Sequence, residues 1–260
     1  MVQIQALLNL CLISVVAGQF YKEGGAFVWE NNQVSYRFLN MTAGDRSVVK
    51  KQMEVIEKNT CLVFKELTED KDKDQKGPLH NLYIHGNVSS HPEASCIGPD
   101  GEVTTAIDVE VTGSSSVGFV LNLNIRTMLA DQEKCKDNPN INGGIINRLF
   151  TVFGIMHTHQ RHDRDNFVKI NEDCVMTDPW GLNMMKQFKK FTKDEAPTFG
   201  IPYKCNSIMH QTSDWLGKPN CTVLEWKGNM QDCQEMGNPT GMPIAEDWQM
   251  INRGQKCENV

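Results

Sequence analysis

After residue 18 the sequence has no apolar run that approaches the roughly 18 residues a membrane-spanning helix needs, which excludes a multi-span membrane protein. It also lacks a surplus of basic residues. Twenty-six Lys and Arg stand against 32 Asp and Glu, a net charge of −6, and the pI is about 5.7. Nucleic acid is therefore not expected as a partner, because phosphate binding needs clustered cations in excess. There is no internal repeat, no collagen-like glycine period and no long linker. What is present is ordinary for a folded chain: 260 residues, 40% hydrophobic and 22% charged, enough for one large domain or two modest ones.

Residues 1–18, MVQIQALLNLCLISVVAG, contain no charged side chain and end in small residues, which reads as a secretory signal peptide cleaved near Gly18–Gln19. Cleavage removes Cys11. The nine cysteines then become eight, an even number that suits an exported, disulfide-bonded chain: Cys61, Cys96, Cys135, Cys174, Cys205, Cys221, Cys233 and Cys257. Sequons at Asn40, Asn87 and Asn220 fit secretion as a glycoprotein, although the last has Cys221 in its middle, where a bridge would hinder glycosylation.

Coarse patterning predicts strands at Val34–Phe38, Cys61–Phe64, Leu82–Ile84 and Phe119–Leu123, and an amphipathic helix over Ser47–Asn59. The charge run at 69–76 reads as a solvated loop. Residues 98–117 are rich in Gly, Ser and Thr, and the half after residue 160 is poor in regular pattern. This implies an α+β fold with two lobes, about 19–157 and about 158–260, around a cleft.

Gly143 to Gly154, GGIINRLFTVFG, reads as a buried helix with Gly154 as its C-terminal cap. Its polar residues Asn147, Arg148 and Thr151 share one face. Immediately after come His157, His159 and His162. The layout is that of a metal site, but the helical residue types are wrong for one.

Here the chain resembles the astacin family of secreted zinc endopeptidases, whose motif is H-E-x-x-H-x-x-G-x-x-H followed by E-x-x-R-x-D-R-D. Aligned on Arg161 and Asp163-Arg164-Asp165, Gly154 meets the motif glycine and His157 the third His. Asn147 then stands at the first His, Arg148 at the catalytic Glu and Thr151 at the second His. Lys58–Phe64, Leu121-Asn122-Leu123, Tyr203 with Ser207–His210, and Asp247–Cys257 resemble further family segments in the same order. The resemblance implies a metzincin-like fold with a mixed sheet and the motif helix in the first lobe. It also implies that Leu121-Asn122-Leu123 forms a substrate-binding edge strand and that Met209 packs beneath the metal position.

The departures shape the functional expectation. An amide and a hydroxyl are poor zinc ligands beside imidazole, and a guanidinium cannot accept a proton as a general base. Gln211 replaces the tyrosine of the Met-turn segment, and Thr158 the Glu after the third His. Only 19–26 separate the expected cleavage site from the domain-like sequence, too little for a family propeptide. No catalytic residue and no cofactor are expected, zinc belonging to the active relatives. The expectation is a secreted pseudoprotease that binds a peptide or protein ligand. Its cleft candidates are Leu121, Asn122, Leu123, Arg148, His157 and Met209, with Arg148 able to meet a ligand carboxylate or an internal acid. Two alternatives are displaced metal chemistry through His157, His159 and His162, and a structural glycoprotein without a specific ligand. The resemblance further implies bridges Cys61–Cys257 and Cys96–Cys135. Of the pairings left to the other four cysteines, Cys174–Cys205 and Cys221–Cys233 are the ones expected.

Overall fold

The computed structural model describes residues 29–39, 41, 43–67, 80–86, 105–112, 116–123, 139–177, 184–229, 233–238 and 240–257. The expected signal peptide, the Cys96–Cys135 bridge and the sequons at Asn40 and Asn87 lie outside them.

Five strands form one sheet: β1 (Gln33–Leu39), β2 (Val63–Glu66), β3 (His80–Gly86), β4 (Thr105–Thr112) and β5 (Ser116–Leu123), in the order β2-β1-β3-β5-β4. All neighbours are parallel except β4, which runs antiparallel to β5. The chain is α+β, with helices α1 (Ala43–Asn59) and α2 (Pro139–Val152) joined by Gln52 Nε2 donating to Asn142 Oδ1 at 2.9 Å. Helix α1 begins four residues earlier than Ser47, at Ala43, because the polar first turn carries no apolar period for a sequence reading to detect.

Two expectations about the sheet change. Strand β4 falls inside the stretch read as rich in Gly, Ser and Thr, although its own residues alternate Ile107, Val109 and Val111 with Asp108 and Glu110, a strand period. Its β-branched residues and its pairing with β5 together hold it extended. As a result Leu121, Asn122 and Leu123 are not at the edge. Asn122 is paired with His85 of β3 on one side and Ala106 of β4 on the other. Their backbone hydrogen-bonding positions are used within the sheet, so no peptide adds there. The outer strand on this side of the sheet is β4, and β2 is outermost on the other.

The apolar faces close over a core that includes Val34, Tyr36, Ile56, Leu82 and Ile84 from the first half, together with Ile145, Ile146, Leu149, Phe150 and Phe153 of α2 and its end. Ile208, Met209 and Ile251 enter the same core from the second half of the chain. A second core gathers Val168, Val175, Phe188, Tyr203, Val223 and Leu224 around a two-stranded sheet, β6 (Val168–Ile170) with β7 (Leu224–Trp226). Regular structure is sparse here, and disulfides tie the turns. Cys174 is bonded to Cys221 and Cys205 to Cys233. This corrects the expected Cys174–Cys205 and Cys221–Cys233 pairing. The segment after β6 lies against the segment before β7, with Lys218 N donating to Cys174 O at 2.8 Å and Met176 N to Leu216 O at 2.9 Å. That ladder brings Cys174 to Cys221 and leaves Cys205 to Cys233. Cys61 and Cys257 are bonded, 196 residues apart, and Asn252 Nδ2 donates to Asn59 O at 3.0 Å nearby.

Candidate functional site

Helix α2 holds the site because it is apolar almost all round. Ile145, Ile146, Leu149 and Phe150 are fully buried, whereas Asn147, Arg148 and Thr151 are half-buried. Gly143 is needed at its start, since a Cβ there would lie 2.6 Å from Gly241 O. Gly154 ends it at φ 85°, with Gly154 N donating to Thr151 O at 2.9 Å and Ile155 N to Phe150 O at 3.0 Å. The reversal points the chain towards His157.

The three polar residues of α2 do different work. Asn147 Nδ2 donates to Ile208 O at 2.7 Å and approaches Met209 Sδ at 3.4 Å. Thr151 Oγ1 donates to Asn147 O at 3.1 Å, a bond back along the helix. Arg148 acts on His157 electrostatically: burial first and the Arg148 charge second push that imidazole down to about 4.

Opposite α2 lies the turn Ser207–His210. The buried Asp247, on helix α3 (Ala245–Gly254), accepts from Ser207 Oγ, from Ile208 N at 3.0 Å and from Ile244 N at 2.9 Å. Burial raises its carboxyl above the usual range, against the pull of those three donors. Ser207 Oγ in turn accepts from Met209 N at 3.0 Å, and Met209 O accepts from Thr158 N at 2.9 Å. Met209 is buried in the first core.

Three histidines gather beside this turn. The rings of His157 and His159 stack with centroids 5.6 Å apart, and His159 meets His210 edge-on at 6.3 Å. Trp215 and Phe188 complete the wall around His159. His210 Nδ1 lies 2.7 Å from Gln211 O, so that nitrogen carries the proton and Nε2 accepts from Tyr203 OH at 2.8 Å. Burial lowers His210 to about 4 and drives His159 well below its ordinary value, with neighbouring His157 adding to the latter. Sequence reasoning missed His210 because it lies 48 residues after His162 and matches no ligand spacing. His162 is not a member of this group. Its Nδ1 and those of His157 and His159 are buried without a hydrogen-bond partner among the described residues.

Arg161 and Arg164 buttress the region. Arg161 forms a two-pronged pair with Asp163 at 2.8 and 2.9 Å, donates to Ile201 O at 3.1 Å and lies over the Tyr203 ring. Arg164 donates to His159 O at 2.9 Å and to Phe188 O. Gln211 is half-buried, and Asn220, in the third sequon, is exposed beside the bridged Cys221.

A buried helix thus faces a methionine-bearing turn, with the five-stranded sheet in the same core. The family model for Astacin, a peptidase family, matches residues 110–254, and the chain belongs to that family. Zinc metalloproteinase nas-14 of Caenorhabditis elegans is 26% identical over 184 residues, 70% of this chain and 29% of the relative. Zinc metalloproteinase nas-5 of the same organism is 24% identical over 180 residues, 69% of this chain and 40% of the relative. The chain thus spans well under half the length of either. Among solved structures, high choriolytic enzyme 1, a hatching-enzyme zinc protease from Oryzias latipes, has the same fold. Its TM-score is 0.61 at 18% identity, covering 90% of this chain and 97% of that one.

The side chains present do not suit the zinc ion of these relatives. Among the described residues no group of three or more His, Cys, Asp and Glu is placed to hold a metal, and His157, His159 and His162 do not form one. The Asn147 amide is committed through its N–H group to Ile208 O, and the Thr151 hydroxyl to Asn147 O. Arg148 adds a positive charge that repels a divalent cation, by about 4 kcal/mol per unit pair at about 4 Å and an effective dielectric near 20.

Proposed function

We propose that this chain is a secreted, non-hydrolytic member of the astacin family that binds a peptide or protein ligand at the former catalytic site. One observation carries the reading. The hydrogen bond from Asn147 to Ile208 O spans the interval between motif helix and methionine turn, where the family motif calls for an imidazole ligand. Arg148, at the motif's general-base position, keeps its proton at all physiological pH. A site with neither a ligand set nor a base retains a shaped, partly polar surface, and that surface is suited to binding.

The bridges Cys61–Cys257, Cys174–Cys221 and Cys205–Cys233 support an oxidising, extracellular setting. So does the charge-free segment at 1–18, read as a signal peptide. The test is metal analysis of the mature, disulfide-bonded protein together with an endopeptidase assay. The expected result is less than one-tenth of an equivalent of zinc per chain, roughly, and no chelator-sensitive cleavage. One equivalent of zinc with cleavage lost on chelation would overturn the reading.

A further inference from the structure

Resting on the reading of this chain as a secreted protein, we propose that Asn220 is an N-glycosylation site whose occupancy is decided by competition with closure of the Cys174–Cys221 bridge. A chain glycosylated first goes on to fold with its glycan in place. A chain bridged first leaves Asn220 bare.

The native structure has room for the glycan. Lys218, Pro219 and Asn220 are all exposed, in a turn closed by Cys221 N donating to Lys218 O at 3.1 Å. Pro219 brings a fixed φ to the second turn position. Asn220 takes the third at φ 58°, a left-handed conformation that asparagine adopts more readily than most residues. Thr222, whose hydroxyl completes the Asn-Cys-Thr acceptor, is exposed as well. A sugar carried at this turn needs no rearrangement of the core beneath it.

The same structure denies the site to a transferase once folding is complete. The acceptor has to enter that enzyme as a pliable segment, with the Asn amide and the Thr hydroxyl presented together. Here the backbone is held on both sides of the triplet. Lys218 N donates to Cys174 O at 2.8 Å, Val223 N to Ser213 O at 2.8 Å and Asn171 N to Val223 O at 2.8 Å. The middle residue is held too, since Cys221 is bonded to the buried Cys174. Gly217 confines the segment further, because a Cβ there would lie 2.9 Å from Cys221 O. Folding locks a stretch that glycosylation needs loose.

The two reactions meet on the open chain. Cys174 precedes Cys221 by 47 residues, so it emerges about 2–10 s earlier at a synthesis rate of about 5–20 residues per second. A partner thiol is therefore waiting when Cys221 arrives, and disulfide formation takes seconds or longer. In the competing reaction the Asn220 amide nitrogen attacks the first sugar of a lipid-linked oligosaccharide donor. The new N–C bond replaces the sugar–diphosphate bond, the lipid diphosphate leaves, and the amide gives up one proton.

The test expresses the full chain in a eukaryotic secretory host and reads Asn220 by peptide mass spectrometry. Enzymatic deglycosylation leaves Asp wherever a glycosylated Asn stood, which marks the modified fraction. The wild-type chain is expected to give both forms of the Asn220 peptide, with the modified chains still carrying the Cys174–Cys221 link. Cys174→Ala removes the competing thiol without touching the triplet, and is expected to shift the peptide almost wholly to the modified form. This variant is read in pulse-labelled cell extracts, so a chain that misfolds still reports its occupancy. Thr222→Ala destroys the acceptor while leaving Asn220 in its turn, and is expected to lose the modified form entirely. If Asn220 stays bare in Cys174→Ala while the wild-type chain reaches the medium, the proposal is wrong and the secreted reading stands. Equal occupancy in wild type and Cys174→Ala overturns the competition. A wild-type chain that never reaches the medium, and is bare at Asn40, Asn87 and Asn220 alike, removes the secreted reading itself.

Discussion

Asn147 Nδ2 and the carbonyl oxygen of Ile208 are 2.7 Å apart, a side chain on α2 joined to the backbone of the turn that carries Met209. Both ends of this bond sit against the first hydrophobic core, where Ile208 and Met209 are buried. Asn147→Ala leaves the Ile208 carbonyl without its donor and should destabilise the fold by about 1–3 kcal/mol. Chemical denaturation of the two proteins measures this. An unchanged midpoint would mean that water replaces the amide at no cost.

The same relationship defines what it would take to restore a metal site. The combined changes Asn147→His, Arg148→Glu and Thr151→His supply two imidazoles and a base on one helix face, joining His157. The triple variant should take up about one zinc per chain, while the parent should take up less than about a tenth of that. Metal analysis after gel filtration reads the result. Failure of a folded triple variant to bind zinc would show that the interval between α2 and His157 has closed.

Acid should weaken the fold from an early point on the pH scale. His157 and His210 are each held at about 4, below the roughly 6.5 of an unfolded-chain histidine. Between these values the unfolded chain binds more protons than the native one. Stability is therefore intact above about pH 6.5 and declines as pH falls through that window, by at most roughly 3 kcal/mol for each of these two histidines. His159, also lowered by burial, acts in the same direction. Asp247, whose carboxyl is raised by burial, works in the opposite direction at the acid end, so the slope is clearest between about pH 5 and 6.5. Urea midpoints across this range give the measurement, and a flat profile would show that the imidazoles are hydrated.

The disulfide assignment is directly checkable. Proteolytic mapping without reduction should yield linked peptides containing Cys174 with Cys221 and Cys205 with Cys233. The double change Cys174→Ala with Cys221→Ala opens a loop spanning 47 residues and should cost up to about 4 kcal/mol through the unfolded state. Recovery of a Cys174–Cys205 peptide would refute the pairing.

Replacing Tyr203 by Phe isolates the polar contact to His210. Tyr203 OH donates to His210 Nε2 at 2.8 Å in a buried setting, and Tyr203→Phe leaves that nitrogen unpartnered, at a cost of about 1–3 kcal/mol. A double-mutant cycle with His210→Ala should show coupling between the two residues. Additivity would mean that the phenol contributes packing alone.

Local chemistry made several features readable without coordinates. Helix α2 was visible because its apolar residues encircle it and a glycine closes it, and Gly154 is found at positive φ. Strands β1, β3 and β5 were visible from runs of β-branched and aromatic residues that a buried sheet favours. The substitutions at Asn147, Arg148 and Thr151 are matters of residue type alone, as was membership of the family, which rests on ordered motifs along the chain.

Other features needed the folded chain. Strand β4 alternates Ile107, Val109 and Val111 with Asp108 and Glu110, but only its pairing with β5 shows that Leu121–Leu123 lie in the interior of the sheet rather than at its edge. Disulfide pairing depends on which turns meet, and cysteine spacing does not encode that. His210 joins His157 and His159 from more than fifty residues away, and Asn147 finds Ile208 across 61 positions. The amino-acid sequence determined which donors and charges the site contains, because side-chain chemistry is local. The tertiary structure decided which of them meet, because contacts between distant segments are set by the packing of the whole chain.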